Sequence, residues 1–190
     1  MFKNILAFIG LLSIIACVVL YLGLKNTFSE FDPGAAKTYT DMVKTILETK
    51  EAASASIWRV PVQDGLSAED VEETMKFVAN EHNISNVGEL PLSKDISAKL
   101  GKPYRFVKIF LFCNSLTAAQ MLDYNDAFSA YLPCRITLIE DNTGKLWLYT
   151  LNMDLMIHGG RPLPAKLKAE AEKVKDIILD IMNRGAEGDF

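Results

Sequence analysis

The first pattern along the chain is an uninterrupted apolar run over residues 5–24 that contains no charged side chain. A helix of about 20 residues is ~30 Å long, which matches the hydrocarbon thickness of a bilayer. Lys3 and Lys25 flank the run, and Tyr21 lies near one end, where an amphipathic ring favours the membrane interface. The pattern predicts a transmembrane anchor in residues 1–24, with residues 5–24 in contact with lipid.

Two other interpretations of this segment stay open. A cleaved signal peptide has a shorter apolar region followed by a small-residue cleavage site. The sequence from Ile14 to Cys17 is similar to a lipoprotein processing signal, although Val18 and Leu20 continue the apolar run after it. A short N-terminal anchor with a large following domain favours an N-in orientation. In a bacterium, this places a single-pass protein in the inner (cytoplasmic) membrane with its soluble domain in the periplasm.

Residues 25–55 read as a linker and a stalk helix. Asp32 and Pro33 predict the start of that helix, with Asp32 as N-cap and Pro33 in the first helical position. The helix is expected to continue to about Ser54. Its apolar residues recur at helical spacing and form one stripe: Tyr39, Met42, Val43, Ile46 and Leu47. The stripe packs on the chain's own domain in one interpretation and contacts a membrane partner in the other.

The pattern changes at residue 56, and residues 56–184 are predicted to form one domain before a tail of residues 185–190. Apolar alternation predicts strands at 57–62, 87–92, 104–112, 134–140 and 145–151. Periodicity of 3.6 residues predicts a helix that begins at a capping-box-like Ser67 and Asp70 with a stripe reaching His82, and helices at Leu116–Tyr131 and Leu163–Arg184. The order is β-α-β-β-α-β-β-α. Hairpin-linked strands interrupted by helices indicate an α+β fold, a curved and mainly antiparallel sheet with helices on one face.

Composition supports this division and excludes one class of partner. Apolar residues are 49% of the chain, and 20 basic against 24 acidic residues give a net charge of −4. Lys3 is the only charge in residues 1–24, so the remainder carries −5. A net-acidic domain lacks the basic face that neutralises phosphates, so we expect no nucleic-acid partner. The partners left open are the bilayer, a membrane protein and a second copy of the chain.

Cys113 and Cys134 are the candidate catalytic residues, each at one end of a predicted strand. Three interpretations stay open: buried apolar thiols, a disulfide in an oxidising compartment, or a redox or sulfur-handling site using Cys134 with Cys113 as its partner. Their spacing matches no metal or thioredoxin signature. Arg135 follows Cys134 but points to the opposite face of a regular strand, so it need not lower the pKa of the thiol.

The second candidate segment extends from Met153 to Arg161. Met153, Met156 and His158 combine ligand types that suit a soft or borderline metal. Alternatively, Gly159, Gly160 and Arg161 before a helix form an anion pocket, or the segment is a plain loop. We expect no metal and no other cofactor, and motifs for a hydrolase, a nucleotide site or haem attachment do not occur.

Two stretches carry a family resemblance: Phe112-Cys-Asn-Ser115, and Leu132-Pro-Cys-Arg135 followed by a strand pair that reaches Trp147. They resemble the domain-of-unknown-function 302 family. The resemblance covers about residues 56–184. It implies a compact α+β domain, self-association and no established reaction. It singles out Asn114, Leu132, Pro133 and Cys134, and Ser115 replaces the proline of the family motif.

These features predict a membrane-tethered binding or accessory module, with no enzymatic activity indicated. The predicted ligand-binding residues are Asn114, Arg135, His158, Gly159, Gly160 and Arg161. The alternatives are a thiol-based protein using Cys134 and a structural subunit of a larger membrane complex.

Overall fold

Helix α1, Phe2–Phe28, begins the chain. The computed structural model describes residues 2–190, so Met1 of the predicted anchor and the side chains of residues 2 and 4–6 lie outside the description. All side chains from Ala7 to Phe28 are exposed and none contacts the domain core. This stretch is long and apolar enough to cross a membrane, a character that it shares with signal sequences.

The stalk segment contains two helices instead of the predicted one. Helix α2, Ala35–Thr49, begins two residues later than predicted, with Gly34 as N-cap. Asp32 accepts a hydrogen bond from the Gly34 N–H at 2.8 Å and so stabilises the turn before the helix. Lys50 adopts a left-handed conformation with φ 64°, which ends α2, and the short helix α3, Ala52–Ala55, follows. The prediction of one continuous helix was therefore wrong.

The remaining elements form one domain around a five-stranded antiparallel sheet, which confirms the predicted α+β class. The strand order is β1-β5-β4-β3-β2. The elements after α3 are β1 (Ile57–Pro61), α4 (Ala68–Glu81), β2 (Ser85–Leu90), α5 (Leu92–Leu100), β3 (Val107–Cys113), α6 (Ser115–Tyr124), a 3-10 helix (Asp126–Tyr131), β4 (Cys134–Glu140), β5 (Leu146–Leu151), α7 (Asp154–His158) and α8 (Ala165–Glu187).

Local side-chain chemistry explains where several elements begin and turn. Ser67 and Asp70 form the predicted capping box of α4, because each side chain bonds to the backbone N–H of the other residue. Asp141 closes the loop between β4 and β5 by accepting hydrogen bonds from the N–H groups of Thr143 and Lys145 and from Trp147 Nε1. The capping box and the loop each join residues that are close in the sequence, so both could be predicted from the sequence alone.

One face of the sheet carries the core. Phe110 and Phe112 of β3 are fully buried, as are Ile136 and Leu138 of β4 and Leu148 of β5 on the same face. Helices α4 and α8 cover them, with Met75 and Ile178 at 0% exposure. Alternation along the strands leaves the other sheet face partly exposed.

The two cysteines lie on different faces of the sheet. Phe112 pairs directly with Cys134, so these two side chains share the core face. Cys113 follows Phe112 on β3 and therefore points to the other face. The interpretation of the pair as two buried core thiols is therefore wrong for Cys113, and both cysteines are free thiols.

Three further features differ from the sequence prediction. Neither α5 nor α7 was predicted, because both are short and α7 lies in a segment interpreted as a loop. Gly185 was expected to end α8, but the helix continues to Glu187 and Gly188, with φ 70°, caps it. A Cβ on Gly185 would lie 2.6 Å from Met75 Cγ, so that glycine permits close packing of α8 on α4.

Candidate functional site

The junction between the apolar helix and the domain is made by a buried carboxylate. Asp32 is 3% exposed. Its Oδ1 lies 3.0 Å from His158 Nδ1, and its Oδ2 accepts a hydrogen bond from Lys168 Nζ at 2.5 Å. We call Asp32, His158 and Lys168 the Asp32 clamp. It links the chain just after α1 to α7 and α8.

The clamp strongly favours the ionised form of Asp32. Burial alone would raise the pKa of this carboxyl, but hydrogen bonds from Lys168, the Gly34 N–H and His158 lower it to about 2. His158 also lies 3.9 Å from both Asp154 and Glu172, so its ring is surrounded by carboxylates. Each of these three carboxylates has Lys168, Lys175 or the His158 ring within 4 Å.

The predicted anion pocket after His158 is used for docking the stalk. The carbonyl oxygen of Gly159 accepts a hydrogen bond from the Tyr39 hydroxyl, and that of Gly160 accepts one from the Asp32 N–H at 2.8 Å. Arg161 is largely exposed and lies 3.6 Å from Glu30. Carbonyl oxygens repel an anion, so the glycine pair presents the wrong dipole ends for the predicted role.

A second site surrounds Cys134. Tyr131, Cys134 and Arg135 line a small, mostly enclosed cavity of about 20 Å³, together with residues at the end of β5 and at the start of α7: Thr150, Leu151, Asn152, Met153 and Met156. We call it the sulfur cavity, after Cys134, Met153 and Met156. It brings together residues from two separate hypotheses, the thiol site at Cys134 and the metal set that included Met153 and Met156.

Sheet topology explains this convergence. The start of β4 lies beside the end of β5, because Ile136 pairs with Thr150 in antiparallel register. The chain leaves β5 at Leu151 and turns at once into α7, whose N-cap residue, Met153, lies near the start of β4. The long-range pairing of β4 with β5, and not any local motif, thus places the thioethers near Cys134.

Cys134 is not arranged as an activated nucleophile. Burial raises the pKa of its thiol to about 11, with a smaller contribution from Cys113, while a backbone hydrogen bond lowers it slightly. A thiol with this pKa is protonated at neutral pH, and the thiolate is the reactive form. The geometry therefore counts against the thiol-redox interpretation.

The other predicted residues separate into different places. Arg135 lies on the uncovered sheet face, where it lines a shallow groove of about 160 Å³ with Ile109 and Tyr149. Asn114 caps α6 by accepting hydrogen bonds from the N–H groups of Leu116 and Thr117. His158 faces Asp32 and does not line the sulfur cavity, so the predicted Met153, Met156 and His158 set is not brought together.

Sequence reasoning missed the main residues of the junction. Lys168 was not singled out, and Asp32 was interpreted only as a helix cap. An aspartate before Pro-Gly is a common turn signal, so no local pattern marks it as buried. Within residues 2–190, no three side chains drawn from His, Cys, Asp and Glu converge as a metal site.

The family model described as "Domain of unknown function DUF302" matches residues 58–184. Among solved structures, the chain is similar to an uncharacterized conserved DUF302 protein from Bacillus stearothermophilus. The two are 16% identical, with a TM-score of 0.54, over 67% of this chain and 96% of that chain. At this identity the likeness concerns the fold. No curated protein matches the chain.

Proposed function

The chain belongs to the DUF302 family, and we propose that this member is a membrane-tethered binding or accessory module whose domain lies on the periplasmic face of a bacterial inner membrane. The supporting features are an exposed apolar helix, a short connection to the domain, and an uncovered sheet face that offers a binding surface.

The Asp32 clamp is the observation that carries the proposal. Asp32 follows the end of α1 by only a few residues and is bonded to both α7 and α8. A flexible tether would leave this connection solvated and mobile. A clamped one holds the domain near the end of the apolar helix, which suits a module that works close to the bilayer.

The uncovered sheet face supports a binding role. Ile57, Ile109, Tyr149 and Leu151 line the groove beside the Arg135 side chain. Partly exposed apolar side chains around one cation form a surface that can bind an apolar group carrying a negative charge. This pairing of features keeps Arg135 as the main candidate among the predicted ligand-binding residues.

One observation favours a second candidate, a structural subunit of a membrane complex. Tyr39, Val43 and Leu47 form a stripe on α2 and are 40%, 50% and 64% exposed. Tyr39 follows the end of α1 by eleven residues, so a membrane protein that packs beside α1 can also reach α2. Loss of such a partner on replacing Val43 and Leu47 with Ser would support this candidate.

Membrane association is tested by alkaline carbonate extraction of cells that express the full-length chain. We expect the wild type to remain in the membrane pellet. Replacing Leu12 and Ile15 with Lys should release it, because each charge in the middle of the span costs about 3 kcal/mol. Leu100→Lys with Leu116→Lys, two exposed positions of the domain, is the matched control and should stay in the pellet.

The same preparation distinguishes an anchor from a cleaved signal. An intact mass that retains residues 1–24 supports the anchor, while a mass that lacks them, or wild-type protein in the carbonate supernatant, contradicts it. Alkaline phosphatase fused after Phe190 should be active if the domain is periplasmic. An inactive phosphatase with a fluorescent cytoplasmic reporter at the same position would contradict the periplasmic assignment.

A further inference from the structure

The sulfur cavity collects three sulfur-bearing side chains from separate segments of the chain. Cys134 is the first residue of β4, and Met153 and Met156 lie three positions apart at the start of α7. Side chains three apart on a helical turn occupy the same face. Both methionines thus line the cavity from the α7 side, and Cys134 lines it from the sheet.

Two of the polar side chains that line the cavity are engaged elsewhere. The Thr150 hydroxyl donates to the Arg135 carbonyl oxygen at 2.6 Å, and Asn152 Oδ1 accepts from the Asp154 N–H at 2.9 Å. At about 20 Å³ the cavity holds one water-sized occupant. Three of the eight lining residues carry sulfur, the donor atom that soft ions prefer.

We infer that Cys134, Met153 and Met156 form a binding site for a soft monovalent cation, Cu(I) or its analogue Ag(I). Thiolate and thioether ligands select soft ions, and Cu(I) is the soft ion of the first transition row. The assignment differs from the set considered from sequence, because His158 is held by Asp32. Binding of this ion is independent of the proposed tethering function.

Charge balance selects the monovalent ion. On binding, the S–H bond of Cys134 breaks, a metal–sulfur bond forms and the proton passes to water, with no change of oxidation state. One thiolate, two neutral thioethers and a monovalent cation sum to zero charge. A divalent cation would leave a net positive charge in a partly buried site, which is unfavourable in a medium of low dielectric constant.

The test is a Cu(I) titration of the reduced full-length protein in mild detergent, under anaerobic conditions, against a chromophoric Cu(I) chelator. Cys17→Ser with Cys113→Ser serves as the background, because these are the other two cysteines. We expect this background to bind one Cu(I). In it, Cys134→Ser and Met156→Leu should each weaken binding at least about tenfold, the lower end of effects seen around metal sites.

Three measurements separate ligation from a structural role. Since one proton is released, affinity should rise about tenfold for each pH unit below the thiol pKa. X-ray absorption should show sulfur scatterers alone around the metal, and excess Zn(II) should not displace it. Met121→Leu, a buried methionine away from the cavity, is the control and should leave affinity unchanged.

Several outcomes would overturn the inference. They are no Cu(I) binding by the background protein, undiminished affinity in Met156→Leu, a nitrogen scatterer at the metal, or a pH-independent affinity. If Cys134→Ser alone unfolds the domain, as circular dichroism would report, the near-isosteric Met156→Leu still decides the question. Because none of these readouts depends on membrane location, failure here leaves the tethering proposal intact, and failure of tethering leaves this site intact.

Discussion

Lys168 Nζ lies 2.5 Å from Asp32 Oδ2, although 136 positions separate the two residues. The contact joins the segment that follows the apolar helix to the last helix of the domain. His158 completes it from the short helix α7. Since Asp32 is buried, this junction is a fixed part of the fold. Substitutions in it therefore measure how much the junction contributes to the stability of the domain.

Replacing Asp32 with Asn should destabilise the domain by about 2–3 kcal/mol. The substitution removes the charge that pairs with Lys168 and leaves a buried amide facing two donors. Urea unfolding of the full-length protein in detergent, followed by tryptophan fluorescence, measures the change. Asp41→Asn is the matched control, because the Lys37–Asp41 pair is exposed and its loss should change stability by less than about 0.5 kcal/mol. Equal effects of the two substitutions would contradict the clamp.

The clamp also predicts a pH dependence with a defined sign. The pKa of Asp32 falls from 3.8 to about 2 in the folded protein, so the unfolded state binds its proton at higher pH. The stabilisation is fully present above pH 4 and is lost as the pH falls toward 2. By linkage it is worth about 2 kcal/mol. The difference in unfolding free energy between wild type and Asp32→Asn should therefore be constant from pH 7 to 5 and smaller at pH 3. A difference that stays constant down to pH 2.5 would contradict the lowered pKa.

Gly185→Ala tests the close packing of α8 on α4. An added Cβ would lie 2.6 Å from Met75 Cγ, so the helices must separate or Met75 must change rotamer. Overpacking costs about 1–3 kcal/mol, and the better helix propensity of Ala offsets about 1 kcal/mol of it. We expect a net loss of about 1 kcal/mol in urea unfolding. Gly160→Ala, where a Cβ meets no atom within 4 Å, is the control. A stabilised Gly185→Ala variant would show that Met75 yields easily.

Cys134 should be unreactive in the native protein. Its pKa of about 11, against 9.0 for an ordinary thiol, reduces the thiolate fraction at pH 8 about a hundredfold. Alkylation by iodoacetamide, followed by mass spectrometry in a Cys17→Ser and Cys113→Ser background, should thus be at least about a hundredfold slower before than after denaturation in urea. The corresponding variant that retains only Cys113 provides the comparison. Rapid native alkylation of Cys134 would restore the thiol-redox alternative.

Much of the fold was readable from sequence because its signals are local. The apolar run of α1, the capping box at Ser67 and Asp70, and the strands of the hairpin around Asp141 depend on residues close in the chain. Periodicity likewise predicted the α+β class. The helix α7 was missed because it is short. The end of α8 was misplaced because a glycine at position 185 resembles a helix stop, whereas in the structure Gly185 lies inside the helix and packs closely on Met75.

The sequence by itself determined the composition of the elements: an apolar helix of bilayer length, an antiparallel sheet and amphipathic helices. Only the tertiary structure decided which residues meet. The pairing of β4 with β5 brings Met153 and Met156 to Cys134, and the packing of α7 and α8 buries Asp32 against His158 and Lys168. Hydrophobic periodicity specifies which face of an element is buried but not its partner, so contacts over a hundred positions apart leave no local pattern.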